Sequence, residues 1–429
     1  MNMFYIILGF SLIIILFCLN TPIWIAFSAG STIVLFGGLG IPSSNIMANF
    51  FSAVDVFTLM AIPFFVLAGN VMAYGGASIH IFNFMNSFVG RIRGGIPIAT
   101  ILTAMVYAAI TGSTPATLVG INAICLPNLR RAGYSDKFSA GMMCSAATLG
   151  QMIPPSLLMI IYGGLTQLDV GKLFLSGIVP GLIITLGLCI TAYIKSPQLS
   201  ELNVAFPEET FEWKNRGKYT VKALPALLMP IIVLGSIYSG VMTPTEAGSL
   251  SCVYGFIISA FVYRGMKVKE FKHIIQQSVR SNGMIMFIVS AATLFALALT
   301  HMQLPQMLAT LITQYNMSPR MLVIVIVVFM LFLGCFLEST PILYLVIPIV
   351  LPALKAAGVS LIYFNVLTIL CMEIGQITPP FGTSMYFAAR LIGVPAADVI
   401  KEEIPYLITM IVCLIVFIFV PQFSLCLVH

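Results

Sequence analysis

Two copies of one short pattern hold the residues best suited to chemistry. Residues 150–156 read Gly-Gln-Met-Ile-Pro-Pro-Ser, and residues 375–380 read Gly-Gln-Ile-Thr-Pro-Pro. Each copy follows a hydroxyl-rich break, Gly112-Ser113-Thr114-Pro115 in the first half and Glu338-Ser339-Thr340-Pro341 in the second. Pro127 and Pro352, Gly133 and Gly358, and Gly150 and Gly375 are each 225 residues apart. Proline removes a backbone donor and clashes with the preceding turn, so Pro154, Pro155, Pro379 and Pro380 interrupt any helix that contains them. Gly150 and Gly375 are expected to let the chain turn sharply. The freed carbonyl oxygens suit a hard cation such as Na⁺, and the hydroxyls of Ser113, Thr114, Ser339 and Thr340 add oxygen ligands. Half-helix N-termini facing the breaks offer N–H groups and a positive dipole end, which suits a carboxylate. The predicted chemistry is therefore binding of an anion and a cation.

The surrounding elements explain why such breaks carry function. The 429-residue chain is 59% hydrophobic and 8% charged, with a mean hydropathy of +1.05. Soluble domains do not have that balance. Apolar runs of about 17–25 residues recur from end to end, long enough to span a bilayer core. Broken backbone survives at membrane depth only where it is buried in protein or lines a polar cavity. Paired, Gly/Pro-interrupted segments in matching places are the pattern of a secondary transporter, and they mark its binding site. The first run, Phe4 to Leu19, lacks a basic leading segment and a small-residue cleavage site, so it reads as a span rather than a signal peptide.

The pattern predicts an all-α polytopic membrane protein with inverted repeats, about eleven transmembrane helices and two re-entrant helical hairpins. The first repeat covers 1–195, with scaffold helices in 1–76 and a hairpin and broken helix in 96–164. A polar linker, 196–221, contains Glu201, Glu208, Glu209, Glu212, Lys214, Arg216 and Lys218. The second repeat covers 222–429, with scaffold helices in 222–300 and a hairpin and broken helix in 320–389. Amphipathic stretches precede the hairpins at 77–93 and 301–317. Five crossings per repeat invert the second copy. With the N-terminus outside, 17 basic residues fall on the cytoplasmic side, and only Lys172, Arg320 and Lys355 fall outside. That is the direction of the positive-inside rule. Both termini are then outside and the linker is cytoplasmic.

Other features carry less. Nine cysteines are scattered through apolar segments, with neither disulfide nor metal-site spacing. The net charge of +6 reports topology, because the basic residues sit in short membrane loops. No G-x-S-x-G or H-E-x-x-H occurs, so the chain reads as no enzyme. Thr243-Pro244-Thr245-Glu246 reads as a structural corner. Glu338 and Glu373 are carboxylates near the second break that balance cation charge or satisfy a structural partner. Arg390 reads as a residue snorkelling from a span end. Asp55 and Asn70 are minor candidates.

At these residues the chain resembles a known family. Ala61-Ile62-Pro63-Phe64-Phe65, Leu67-Ala68-Gly69-Asn70, Gly112 to Thr117, Arg131-Ala132-Gly133-Tyr134, Gly150 to Ser156, Thr243 to Ala247 and Thr378-Pro379-Pro380 are similar to the large membrane subunit of tripartite ATP-independent periplasmic (TRAP) transporters. The resemblance covers nearly the whole chain. It implies sodium-driven import of an organic acid across a bacterial inner membrane by an elevator motion. It also implies two partners: a periplasmic substrate-binding protein and a small four-helix membrane subunit. By position, one Na⁺ would lie between Gly112, Ser113, Thr114, Gly150 and Met152. A second would lie between Ser339, Thr340, Gly375 and Thr378. The substrate would sit near Thr117, Ser156, Thr383 and Ser384. Many relatives have Gly-Leu or Gly-Pro where this chain has Gly150-Gln151 and Gly375-Gln376. Relatives often carry Val-Gly-Leu-Asn where Phe381-Gly382-Thr383-Ser384 stands here. The added hydroxyls suggest a sialic or other sugar acid over a C4-dicarboxylate. A sodium–carboxylate symporter that needs no binding protein is the alternative, and proton coupling remains open.

Overall fold

The computed structural model describes residues 2–19, 21–197, 213–266, 268–314 and 317–428. The first repeat runs through α1 (Met3–Cys18), α2 (Ile23–Ile33, continued by a π-helical turn Val34–Gly38), α3 (Ser43–Ser52) and α4 (Ala61–Tyr74). It continues through α5 (Ala77–Val89), α6 (Gly95–Thr111), α7 (Thr114–Arg131), α8 (Asp136–Ala147), α9 (Leu149–Met152), α10 (Leu157–Thr166) and α11 (Val170–Lys195). The second repeat begins with α12 (Trp213–Tyr238), α13 (Pro244–Ile257, continued by a π-helical turn Ile258–Val262) and α14 (Val268–His301). It ends with α15 (Leu304–Gln314), α16 (Pro319–Gly334), α17 (Ser339–Ala356), α18 (Leu361–Gln376), α19 (Thr383–Ile392), α20 (Ala396–Phe419) and α21 (Gln422–Leu425).

The 225-residue offset holds from the start of α7 and α17 to the start of α8 and α18. Helices α7 and α17 start at 114 and 339 and end at 131 and 356. The turns before α8 and α18 repeat the same chemistry. Gly133 and Gly358 both have positive φ, and two residues later Ser135 and Ser360 cap the helices. Each cap oxygen accepts from the third backbone N–H of its helix, Phe138 or Tyr363, which satisfies a donor the helix leaves open.

Eight described helical segments are long and apolar enough to cross a membrane, and five shorter apolar helices stand beside them. The broken helices are the most interior. The most apolar window within 136–166 is entirely buried, and α18 is buried continuously from Tyr363 to Gln376. A helix apolar and buried all round belongs to the core. By contrast α1 and α20 expose large apolar side chains such as Ile7, Ile14, Ile408 and Val412, as a surface facing lipid or another apolar partner does.

Two boundaries differ from the sequence reading. Helix α12 is helical from Trp213 onward, inside the predicted linker, and its polar first turns dock on α5: Arg216 Nε donates to Ser87 O at 3.1 Å and its guanidinium lies over Phe88. Glu201, Glu208, Glu209 and Glu212 lie outside the described residues. Helix α3 has no counterpart in the sequence reading. Adding the repeat offset to Ser43 gives 268, the first residue of α14, so α3 and α4 together match one continuous helix of the second repeat. The predicted corner at Thr243 is a capping box. Thr243 Oγ1 accepts from Glu246 N, and Glu246 Oε2 accepts from Thr243 N at 2.8 Å.

Candidate functional site

Helices α6 and α7 form the first hairpin and pack against one another, as α16 and α17 do in the second. The first tip turns at Gly112, whose φ of +61° suits glycine. Ser113 is extended, and Thr114-Pro115 opens α7 with proline in the first turn, where its missing N–H leaves no bond unmade. In α17 Pro341 stands in the first turn as well. Each break is stitched to its own tip: Leu157 N donates to Gly112 O and Phe381 N donates to Cys335 O, both at 3.2 Å. Both Pro-Pro peptide bonds, 154–155 and 379–380, are cis.

The glycines of the repeated motif have a different role from the one expected. Gly150 and Gly375 lie inside α9 and α18, not at turns of positive φ. They permit close approach. A Cβ on Gly150 would lie 2.7 Å from Ser113 C and O and from Thr117 Oγ1. A Cβ on Gly375 would lie 2.5 Å from Gly334 Cα. The absent side chains let each broken helix press on the backbone of its hairpin tip.

A cavity of about 360 Å³ lies between the tips and breaks, lined among others by Ser113, Gln151, Glu338, Thr340, Gln376 and Ser384. Four helices begin at its wall. Their first or capping residues there are Ser113 for α7, Leu157 for α10, Ser339 for α17 and Thr383 for α19. Each N-terminus presents roughly half a positive charge, and those of α7, α17 and α19 have no side-chain cap. Among the described residues, no lysine, arginine or histidine lines this cavity or the adjoining one. The arrangement can hold an anion on backbone donors. Its hydroxyl and carboxylate oxygens are the ligands a hard monovalent cation takes, and no group of three or more His, Cys, Asp or Glu gathers among the described residues.

A buried hydrogen-bond chain joins the two tips. Thr114 Oγ1 donates to Glu373 Oε2 at 2.7 Å. Gln376 Nε2 donates to Glu373 Oε1 at 3.3 Å and to Ser339 Oγ. Gln376 Oε1 accepts from Ser384 Oγ at 3.0 Å and from Thr383 Oγ1 at 3.5 Å. Thr114 and Ser339 are equivalent positions of the two repeats, so the chain runs from one tip to the other through α18.

The predicted site residues take different places. Ser113, Ser339, Thr340, Thr383 and Ser384 line the cavity. Gly112, Thr114, Gly150 and Gly375 build the tip–break contacts described above. The remaining hydroxyls are used inside the protein. Thr117 Oγ1 shares a 2.8 Å hydrogen bond with Thr111 Oγ1, Ser156 caps α10 by accepting from Met159 N, and Thr378 Oγ1 donates to Ile374 O at 2.6 Å. The Met152 carbonyl faces α11, where a Cβ on Gly177 would meet it at 2.8 Å. Glu338 precedes the first turn of α17 and lines both cavities. Glu373 has the structural partner Thr114. The sequence reading missed Gln151 and Gln376 as lining residues, although their repetition beside Gly150 and Gly375 was the available signal.

The second cavity, of about 280 Å³, separates the tips from α4 and α14. Asn70 and Tyr74 of α4 line it with Gln277 and Ser281 of α14. Asn70 Nδ2 donates to Ser278 Oγ at 2.9 Å and Tyr74 OH donates to Gln277 Oε1 at 3.0 Å, fixing α4 to α14.

Residues 7–423 match the family model for the DctM component of tripartite ATP-independent periplasmic transporters. The C4-dicarboxylate TRAP transporter large permease protein DctM of Pseudomonas aeruginosa is 38% identical over 93% of this chain and 92% of that protein. The sialic acid TRAP transporter large permease protein SiaM of Vibrio cholerae is 33% identical over 87% of this chain and 86% of its own length. The 2,3-diketo-L-gulonate TRAP transporter large permease protein YiaN of Escherichia coli is 33% identical, over 86% of each chain. Among solved structures, the Alcanivorax borkumensis YdaH transporter superposes with a TM-score of 0.60 at 14% identity, covering 87% of this chain and 86% of its own. Neisseria gonorrhoeae MtrF gives 0.58 at 12% identity, covering 89% and 83%. Those two likenesses concern the fold. The repeated breaks, the converging helix ends and the full-length match lead to one conclusion: the chain belongs to the large-permease (DctM) family of tripartite ATP-independent periplasmic transporters.

Proposed function

We propose that this chain is the membrane pathway of a sodium-coupled importer of an organic acid in a bacterial inner membrane. One observation carries the reading. Four helix N-termini converge on a cavity that has a carboxylate on its wall and no basic side chain. Helix ends alone give an anion only partial positive charge. Glu338 and Glu373 add negative charge nearby, and a bound cation offsets it. In this reading Na⁺ takes the oxygens gathered at each tip and break, and the acid takes the N–H groups between the tips. Each ligand is then held best when the other is present, and that mutual dependence is the basis of coupling.

The acid is delivered by a periplasmic binding protein, and a small four-helix membrane subunit braces the scaffold. The hairpins and broken helices, α6–α10 and α16–α19, form the moving module of an elevator. Helices α1–α4 and α12–α14 form the scaffold. The second cavity supports this division, because it lies along the boundary between the two. Both termini face the periplasm. The relatives named for C4-dicarboxylates, sialic acid and diketogulonate support organic acids as the substrate class.

Uptake into proteoliposomes tests the reading. The chain would be reconstituted with its small membrane partner and offered labelled acid, with and without an inward Na⁺ gradient and the binding protein. Uptake that needs both is expected. Uptake with sodium alone would make it a self-sufficient symporter, and uptake driven by a proton gradient without sodium would overturn the coupling.

A further inference from the structure

Gln151 and Gln376 are equivalent positions of the two repeats, 225 residues apart, and both line the larger cavity. Their amides are used differently. Gln376 is saturated by Ser339, Glu373, Thr383 and Ser384. The Gln151 side chain has no hydrogen-bond partner among the described residues, and its Oε1 is buried and unpaired with the residue 9% exposed.

The sequence of the first repeat removes each partner in turn. The position matching Glu373 is Thr148, whose hydroxyl donates to Ser145 O at 2.7 Å. The position matching Ser339 is Thr114, whose hydroxyl is given to Glu373. The positions matching Thr383 and Ser384 are Leu158 and Met159. Gln376 is thus a fixed joint between the tips, while Gln151 is a free carboxamide at the cavity wall.

A buried amide without partners is costly, and a leucine of similar volume would avoid the cost. A ligand that satisfies the amide accounts for the glutamine. A carboxamide offers two donors and one acceptor. A carboxylate accepts from the donors but leaves Oε1 unpaired. The terminal torsion of an amide is broad, so a half-turn brings Oε1 to the cavity, where a hydroxyl on the acid supplies the missing donor. We propose that Gln151 reads a hydroxyl of the transported acid, so that the cavity selects hydroxy acids over their deoxy counterparts. This rests on the transport reading above.

The test uses the full-length chain in nanodiscs in sodium buffer, with acid affinity read from the ligand-dependent rise in melting temperature. The probes are two pairs differing in hydroxyls, malate against succinate and gluconate against hexanoate. The variants are Gln151→Leu and the shape-conserving Gln151→Met. In the wild type the hydroxy acid of at least one pair is expected to bind more tightly. Both variants should lower that preference about tenfold, the worth of one hydrogen bond, with deoxy-acid affinity unchanged and the unliganded melting temperature equal or higher. A preference that survives in both variants, or a wild type without one, overturns the role of Gln151 and leaves the transport reading intact. A wild type that binds no acid of either pair in sodium overturns this inference, whereas the transport reading stands or falls on the uptake assay above.

Discussion

Thr114 Oγ1 donates a 2.7 Å hydrogen bond to Glu373 Oε2, so the first hairpin tip is held by a carboxylate of the second repeat. Glu373 is 1% exposed, and its other oxygen faces Gln376, which bonds the second tip at Ser339. One acidic side chain therefore registers both tips. No basic side chain among the described residues stands on the cavity wall, and under the proposed sodium coupling a cation bound there would favour the ionised form of this carboxyl group.

Replacing Glu373 by Gln should keep the shape of this joint and remove its charge. The expected outcome is a rise of about tenfold or more in the Na⁺ concentration for half-maximal uptake, the scale of a charged hydrogen bond. The unliganded protein should melt close to wild type, since the amide keeps the shape and one of the two acceptor oxygens. A Na⁺ titration of uptake beside a melting curve checks both. An unchanged Na⁺ dependence would leave Glu373 a structural acceptor only.

Thr114 can be separated from its charge partner by a matched pair of variants. Thr114→Val keeps the shape but leaves a carboxylate oxygen without its donor, at a cost of about 1–3 kcal/mol. Thr114→Ser retains the hydroxyl. Thermal unfolding should show the valine variant melting earlier and the serine variant close to wild type. Equal melting of the two would mean that the bond contributes little.

Gly375 and Gly283 make opposite predictions for one added methyl group. A Cβ on Gly375 would lie 2.5 Å from Gly334 Cα, whereas one on Gly283 within α14 meets nothing within 4 Å. Gly375→Ala should destabilise by about 1–3 kcal/mol through overpacking and lower uptake. Gly283→Ala should stabilise by about 0.5–1 kcal/mol, because alanine loses less backbone freedom in a helix. Melting curves of the two variants give the comparison directly.

Thr243 lines neither cavity. Thr243→Ala removes one half of the capping box that starts α13 and should cost about 1 kcal/mol. Uptake measured below the melting transition should stay near wild type. A loss of uptake without a loss of stability would give the corner a transport role.

The sequence by itself determined the parts that a membrane makes compulsory. Hydrocarbon tolerates broken backbone only where protein satisfies it, so Pro154, Pro155, Pro379 and Pro380 announced the breaks, and their constant offset announced the repeat. The caps that the structure shows at Ser135 and Ser360 obey a local rule that needs only neighbouring residues, although the sequence reading did not use it. Tertiary structure decided what depends on distant partners. The bond from Thr114 to Glu373 joins residues 259 apart, and no local pattern reports it. Gly150 and Gly375 read as turn residues from local conformational preference, but they are packing residues because a hairpin tip lies against each. Gln151 and Gln376 are the same residue in the same motif. They diverge because the hydroxyls and the carboxylate that could pair with each are supplied or withheld by other helices, a matter of packing that spacing along the chain does not carry.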